Sequence, residues 1–117
     1  MNQSLIDARL KLKNKRLNCA NLVIEEILKQ DLQGLIEIGL FGSMLRDNFT
    51  CNSDVDIYLM FSDKIPDRVK KGTIRSFAEV NECDVVFLTK EQLNNPGLLE
   101  TNIIKNHQVL YKETEDD

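Results

Sequence analysis

The hydrophobic positions fall into two periods that alternate along the chain. Residues 1–31 contain neither Pro nor Gly, and Leu10, Leu17, Ala20, Ile24, Ile27 and Leu28 recur at helical spacing. One apolar stripe of this kind predicts a long amphipathic helix. Ser4 with Asp7 reads as a capping pair at its start. Gly34 is the expected breaker. Leu35, Ile36, Ile38, Leu40 and Phe41 then form a short apolar run, the pattern of a buried strand, which ends at Gly42-Ser43. A brief helical turn is expected over about 44–48, followed by a polar loop from Asn48 to Ser53.

Asp54 to Phe61, DVDIYLMF, predicts a second strand with two acids at its start. Pro66 suits a helix start, giving a helix over about 66–80. Cys83 to Leu88 predicts a third strand. Residues 90–106 read as helical, interrupted by a turn at Asn94-Asn95-Pro96-Gly97. Gln108 to Tyr111 is a candidate last strand, and the acidic end, Glu113 to Asp117, is expected to fray. Strands alternating with helices predict a layered α and β domain whose helices cover at least one sheet face. A chain of 117 residues is one domain by length. Residues 1–18 read as a basic helical extension and 113–117 as an acidic tail.

Composition narrows the function classes. Apolar residues make up 42% and charged residues 29%, which excludes a disordered chain, a collagen-like fibre and a disulfide scaffold. No run approaches the ~18 apolar residues of a membrane span. The N-terminus lacks an apolar h-region and reads as mature cytoplasmic protein. The net charge of −4 argues against phosphate-backbone binding, and hence against direct nucleic-acid contact. Arg9, Lys11, Lys13, Lys15 and Arg16 are either a solvated helix face or a contact for an acidic partner. Cys19, Cys51 and Cys83 form no ligand set and read as free thiols. Cys51 has no local positive charge to activate it. His107, the single histidine, reads as structural or solvated.

Three features carry chemistry. Gly42-Ser43 leaves an apolar strand for a helical turn. Glycine lets backbone approach a ligand, and free N–H groups suit phosphate, although the same pair marks countless ordinary turns. Asp54 and Asp56, at i and i+2 of a strand, project to one face. Two parallel carboxylates repel unless a cation intervenes. They are either solvated acids at a strand end or a site for Mg²⁺, a hard ion held by a few carboxylates plus substrate phosphates. Asp84, the single acid within the third strand, is either solvated or, if that strand lies beside the second, the third member of a two-metal clamp.

The run Leu40-Phe41-Gly42-Ser43-Met44-Leu45-Arg46, then Ser53-Asp54-Val55-Asp56-Ile57, then Asp84-Val85-Val86 resembles the minimal nucleotidyltransferases of the DNA polymerase beta-like superfamily. Ile103 to Tyr111 resembles their usual ending, a helix followed by a strand closing in Leu-Tyr. The resemblance covers roughly residues 20–112. It implies an α+β fold with a mixed sheet covered by helices on one face. It also implies Mg²⁺-dependent transfer of AMP from ATP to a hydroxyl, with two Mg²⁺ or Mn²⁺ ions. Asp54, Asp56 and Asp84 would be catalytic metal ligands, and Gly42, Ser43 and Arg46 would bind the nucleotide.

The family pattern Gly-Ser-x-Ala-Arg-Gly is altered here. Leu45 replaces the Ala, and Asp47 replaces the Gly and places negative charge near the polyphosphate position. The resemblance further implies an antitoxin paired with a HEPN-domain toxin, whose tyrosine is adenylylated, or a second copy of the chain completing the site. The alternatives are a non-catalytic antitoxin that masks its partner, and a transferase acting on a small molecule or RNA.

Overall fold

In the computed structural model, residues 3–45 and 54–113 are described. The long helix α1 spans Gln3–Lys29 and leads into strand β1, Leu35–Phe41, which runs straight into a 3₁₀ turn at Gly42–Leu45. Strand β2 is Val55–Phe61, helix α2 Arg68–Val80 and strand β3 Cys83–Thr89. A second 3₁₀ turn at Lys90–Leu93, helix α3 at Leu98–Lys105 and strand β4 at His107–Lys112 complete the described chain. The polar loop expected at Asn48 to Ser53, and the tail beyond Glu113, lie outside the described residues, as do Arg46, Asp47 and Cys51.

The four strands form one mixed sheet in the order β3-β2-β1-β4. β1 pairs antiparallel with β2 and with β4, whereas β2 and β3 are parallel. A parallel pair needs a crossover, and α2 supplies it. This is the α+β architecture with a mixed sheet and a long N-terminal helix that the sequence pointed to.

β2 is central, so both of its faces are covered, as expected of a strand that reads as a near-continuous apolar run. Val55, Ile57, Leu59 and Phe61 face α1 and α2, where they join Ala20, Val23, Ile24, Ile27, Ile74 and Ala78 in the main core. The alternate side chains, Tyr58 and Met60, belong to a second cluster with Phe41, Leu88 and Ile103. Ile103 brings α3 onto this second face, while α1 and α2 cover the first.

Several local expectations are corrected. Ser4 falls in the first described turn of α1, and Asp7 accepts from the Gln3 side chain at 3.3 Å. α1 stops at Lys29, ahead of Gly34, because Asp31 already takes a left-handed φ of 50°. Pro66 precedes α2 without starting it. The cap is Asp67, whose carboxylate accepts from the Lys70 amide at 2.9 Å. The turn after β1 begins at Gly42 itself. Arg16 does not belong to the solvated basic face. It is buried and ion-paired with Glu82, tying α1 to the turn before β3.

Candidate active site

The sheet register brings the sequence-predicted acids together. Asp56 is the direct partner of Asp84 across the parallel pair and of Phe41 across the antiparallel one. Paired residues project to the same face, so the Asp56 and Asp84 carboxylates stand side by side on adjacent strands, about 5 Å apart at the backbone. Asp54 sits two residues ahead of Asp56, exposed, at the entrance of β2. Asp84 is exposed and Asp56 half-buried. Burial pushes the Asp56 carboxyl up to about 6, and the charges of Asp84 and then Asp54 push in the same direction. The three acids therefore share one electrostatic site at the end of the sheet where β2 and β3 begin.

Gly42 is bound physically to this site. Its φ is +78°, and a Cβ built there would overlap the Asp56 carboxylate. The backbone that turns out of β1 thus packs directly on the half-buried acid, and only glycine meets both demands. The glycine expected to admit a phosphate admits the Asp56 carboxylate. Ser43 falls in the 3₁₀ turn, but its hydroxyl and the whole of Arg46 lie outside what is described. Leu45, the departure from Ala, packs against the main core. It is a packing residue here.

The Tyr58 contacts escaped the sequence reading. Tyr58, fully buried two residues after Asp56, donates to the Glu37 carboxylate at 2.7 Å. Its ring passes over Gly39, where a Cβ would meet the Tyr58 ring and the Gln108 carbonyl at 2.5–2.6 Å. A glycine inside an otherwise apolar strand is the signal that could have revealed this close approach. His107 opens β4, and its Nδ1 donates to the Ile103 carbonyl at 2.8 Å while its ring meets Tyr58 edge-on at 6.0 Å.

Other groups are inert or remote. Cys19 and Cys83 are free, as expected. Burial first, and then Cys19, push the Cys83 thiol up to about 12, which keeps it protonated. A cavity of about 540 Å³ opens at the far end of the same sheet face, lined by Glu37, Met60, Lys90 and Lys112 among others. It lies two rows of residues away from the acids. Among the described residues, no three His, Cys, Asp or Glu side chains gather closely enough to enclose a metal ion. No described helix is long and apolar enough to cross a membrane.

Residues 23–116 match the family described as Polymerase beta, Nucleotidyltransferase. The chain belongs to this nucleotidyltransferase family. Solved structures share the fold. A Sulfolobus solfataricus protein assigned as a nucleotidyltransferase matches with a TM-score of 0.60 at 20% identity, over 88% of this chain and 86% of that one. A chain from the complex of a tri-AMPylated Shewanella oneidensis HEPN toxin with its MNT antitoxin gives a TM-score of 0.53 at 22% identity, over 85% and 73%. A toxin–antitoxin structure with AMP-PNP gives 0.56 at 22% identity, over 78% and 72%. No curated protein matches the nucleotidyltransferase in sequence.

Proposed function

We propose that this nucleotidyltransferase transfers AMP from ATP to a hydroxyl group of a HEPN-domain partner protein, and acts as the antitoxin of that pair. The observation that carries the reading is the register of Asp56 with Asp84, with the Gly42 turn packed on Asp56. Carboxylates and a glycine turn suited to phosphate meet at one end of one sheet, which supports phosphoryl-type transfer. The similarity in fold to toxin–antitoxin complexes, one with AMP-PNP and one with an AMPylated toxin, supports the donor and the partner.

The donor set fits Mg²⁺. Although the acids form no closed cage, Mg²⁺ is commonly held by one or two carboxylates and completed by nucleotide phosphates and water. Burial first, and then the charges of Asp84 and Asp54, raise the Asp56 carboxyl, and a bound cation would offset both. Asp56 and Asp84 would hold the ions, with Asp54 at the rim, and the bound metal would neutralise charge on the transferring phosphate.

The remaining steps belong to the chain itself. Backbone N–H groups of the turn starting at Gly42, with the Ser43 hydroxyl and Arg46, hold the β- and γ-phosphates. The exposed Asp84 faces the incoming hydroxyl and takes its proton. The acceptor oxygen bonds to the α-phosphorus as the bond to the β-phosphate oxygen breaks, and pyrophosphate leaves. The open sheet face would be closed by the partner, which excludes water.

The test combines the purified protein with its HEPN-domain partner, ATP and Mg²⁺, followed by mass spectrometry of the partner. A gain of one or more AMP units, lost in Asp56→Asn, is expected. A stable complex whose partner stays unmodified would instead establish an antitoxin that masks by contact.

A further inference from the structure

Half of α1 belongs to the body of the protein and half does not. Its buried residues, Arg16, Ala20, Val23, Ile24 and Ile27, all lie from the midpoint of the helix onward. Leu12 is the outermost residue of α1 that packs on the main core. Residues 3–11 run on beyond it for about 13 Å. Leu5 and Leu10 are 65% and 54% exposed there. The family match begins at residue 23, so this overhang lies outside the matched domain.

The overhang leaves the body at the end of the sheet that carries the acids. α1 leads into β1 at the far end, and Arg16 pairs with Glu82 at the near one. The Glu82 carbonyl accepts from the Val55 amide at 3.2 Å, and Asp54, Asp56 and Asp84 lie within two residues of this contact along the chain. Leu5, Arg9, Leu12 and Arg16 follow at i, i+4, i+7 and i+11, one face of the helix. Arg16 and Leu12 hold that face against the body. The next two turns outward present Arg9 and Leu5, both exposed, with Lys13 one turn from Arg9. The face continues past the body as a ledge at the acid end.

Charge decides what fits this ledge. Residues 3–15 hold Arg9, Lys11, Lys13 and Lys15 against Asp7, a net +3 within a chain of −4, so the rest of the chain carries −7. Among the described residues, none of these four cations is in an ion pair. A basic projection on an otherwise acidic protein attracts an acidic surface, and its exposed leucines match apolar side chains.

We propose that this ledge seats the partner protein, through a segment of acidic and apolar side chains next to the hydroxyl that receives AMP. The proposal rests on the transferase reading above and names the surface on which that partner docks. A hydroxyl delivered to Asp84 comes to the acid end, beside which the ledge projects. Arg9 and Lys13 pair with carboxylates of the partner, and Leu5 covers apolar surface between them.

The test measures partner binding and AMP transfer with the full chain, the HEPN-domain partner, ATP and Mg²⁺. Arg9→Glu combined with Lys13→Glu should weaken partner binding about tenfold and raise the KM for the partner equally, with the rate at saturating partner and the Mg-ATP affinity changed less than about twofold. Unchanged Mg-ATP affinity shows that the variant is folded. Lys11→Glu combined with Lys15→Glu, on the other side of the helix, should weaken partner binding less than about threefold. Unaltered partner binding in the first variant, or an equal loss in the second, overturns the ledge alone. A dimer of the chain by itself that the first variant dissolves overturns it in favour of a second copy. Ledge-dependent binding without AMP transfer supports the ledge and overturns the transferase reading. A wild type that neither binds nor modifies the partner overturns both.

Discussion

Replacing Asp56 by Asn should stabilise the metal-free protein. The carboxyl stands at about 6 in the folded chain against an ordinary value of 3.8. Burial is the largest cause, followed by Asp84 and Asp54. A group whose folded pKa is raised binds its proton more tightly in the native state. Its ionisation therefore destabilises the fold, with no penalty below about pH 4 and the full penalty above about pH 6. A shift of roughly two units corresponds to about 3 kcal/mol. Asp56 is only half-buried, and solvent screens the two exposed acids, so about 1–2 kcal/mol is the realistic gain at pH 7.5. For a domain of this size that is roughly 4–8 °C in Tm.

The assay is thermal unfolding of wild type and Asp56→Asn in EDTA from pH 4 to 8. The two should unfold together near pH 4, diverge between pH 4 and 6, and stay a constant interval apart above pH 7. Added Mg²⁺ should raise the wild type and leave the variant nearly unchanged. Equal stability at pH 7.5, or a difference that grows toward acid, would refute the electrostatic account of the site.

Gly42→Ala should cost about 1–3 kcal/mol, because the new Cβ meets the Asp56 carboxylate at a left-handed φ. Chemical denaturation reads the stability. Transfer activity should fall further than stability does, since Asp56 is the group displaced. Arg16→Ala should destabilise by about 2 kcal/mol, since Arg16 is buried and paired with Glu82. Glu82→Gln should cost a comparable amount, because it removes the counter-charge that Glu82 gives to the buried Arg16 guanidinium.

Much of the fold was legible because its strands announce themselves locally. β1, β2 and β3 are apolar runs bounded by Gly, Asp or turn residues, and β2 alternates between the α1–α2 core and the second cluster. The first half of the candidate site was legible for the same reason, since Asp54 and Asp56 lie two apart on one strand. Bringing Asp84 to them needed a parallel β2–β3 pair, which the intervening helix α2 makes natural but which no local pattern encodes. Features that depend on contacts across the sheet left almost no trace. Arg16 read as one more surface cation, because its partner Glu82 is far away in sequence. The start of α2 was misplaced by one residue because Pro66 and Asp67 are adjacent and both suit a helix start, and the structure uses Asp67 for its carboxylate.

The relation between Gly42 and Asp56 joins what the sequence presents as two motifs. Read separately, Gly42-Ser43 is a phosphate turn and Asp54-Val55-Asp56 a metal pair. In the fold the glycine serves the acid directly, since its backbone forms one wall of the Asp56 environment. That wall helps to bury the carboxylate, and burial is the largest cause of its raised proton affinity. An acid held in this state is short of positive charge before any ligand arrives. On the proposed function, a nucleotide bringing its metal would meet a site whose charge favours the cation and an adjoining turn suited to phosphate. Binding of the two would then be coupled through one glycine and one aspartate. Loss of either should therefore weaken metal and nucleotide binding together.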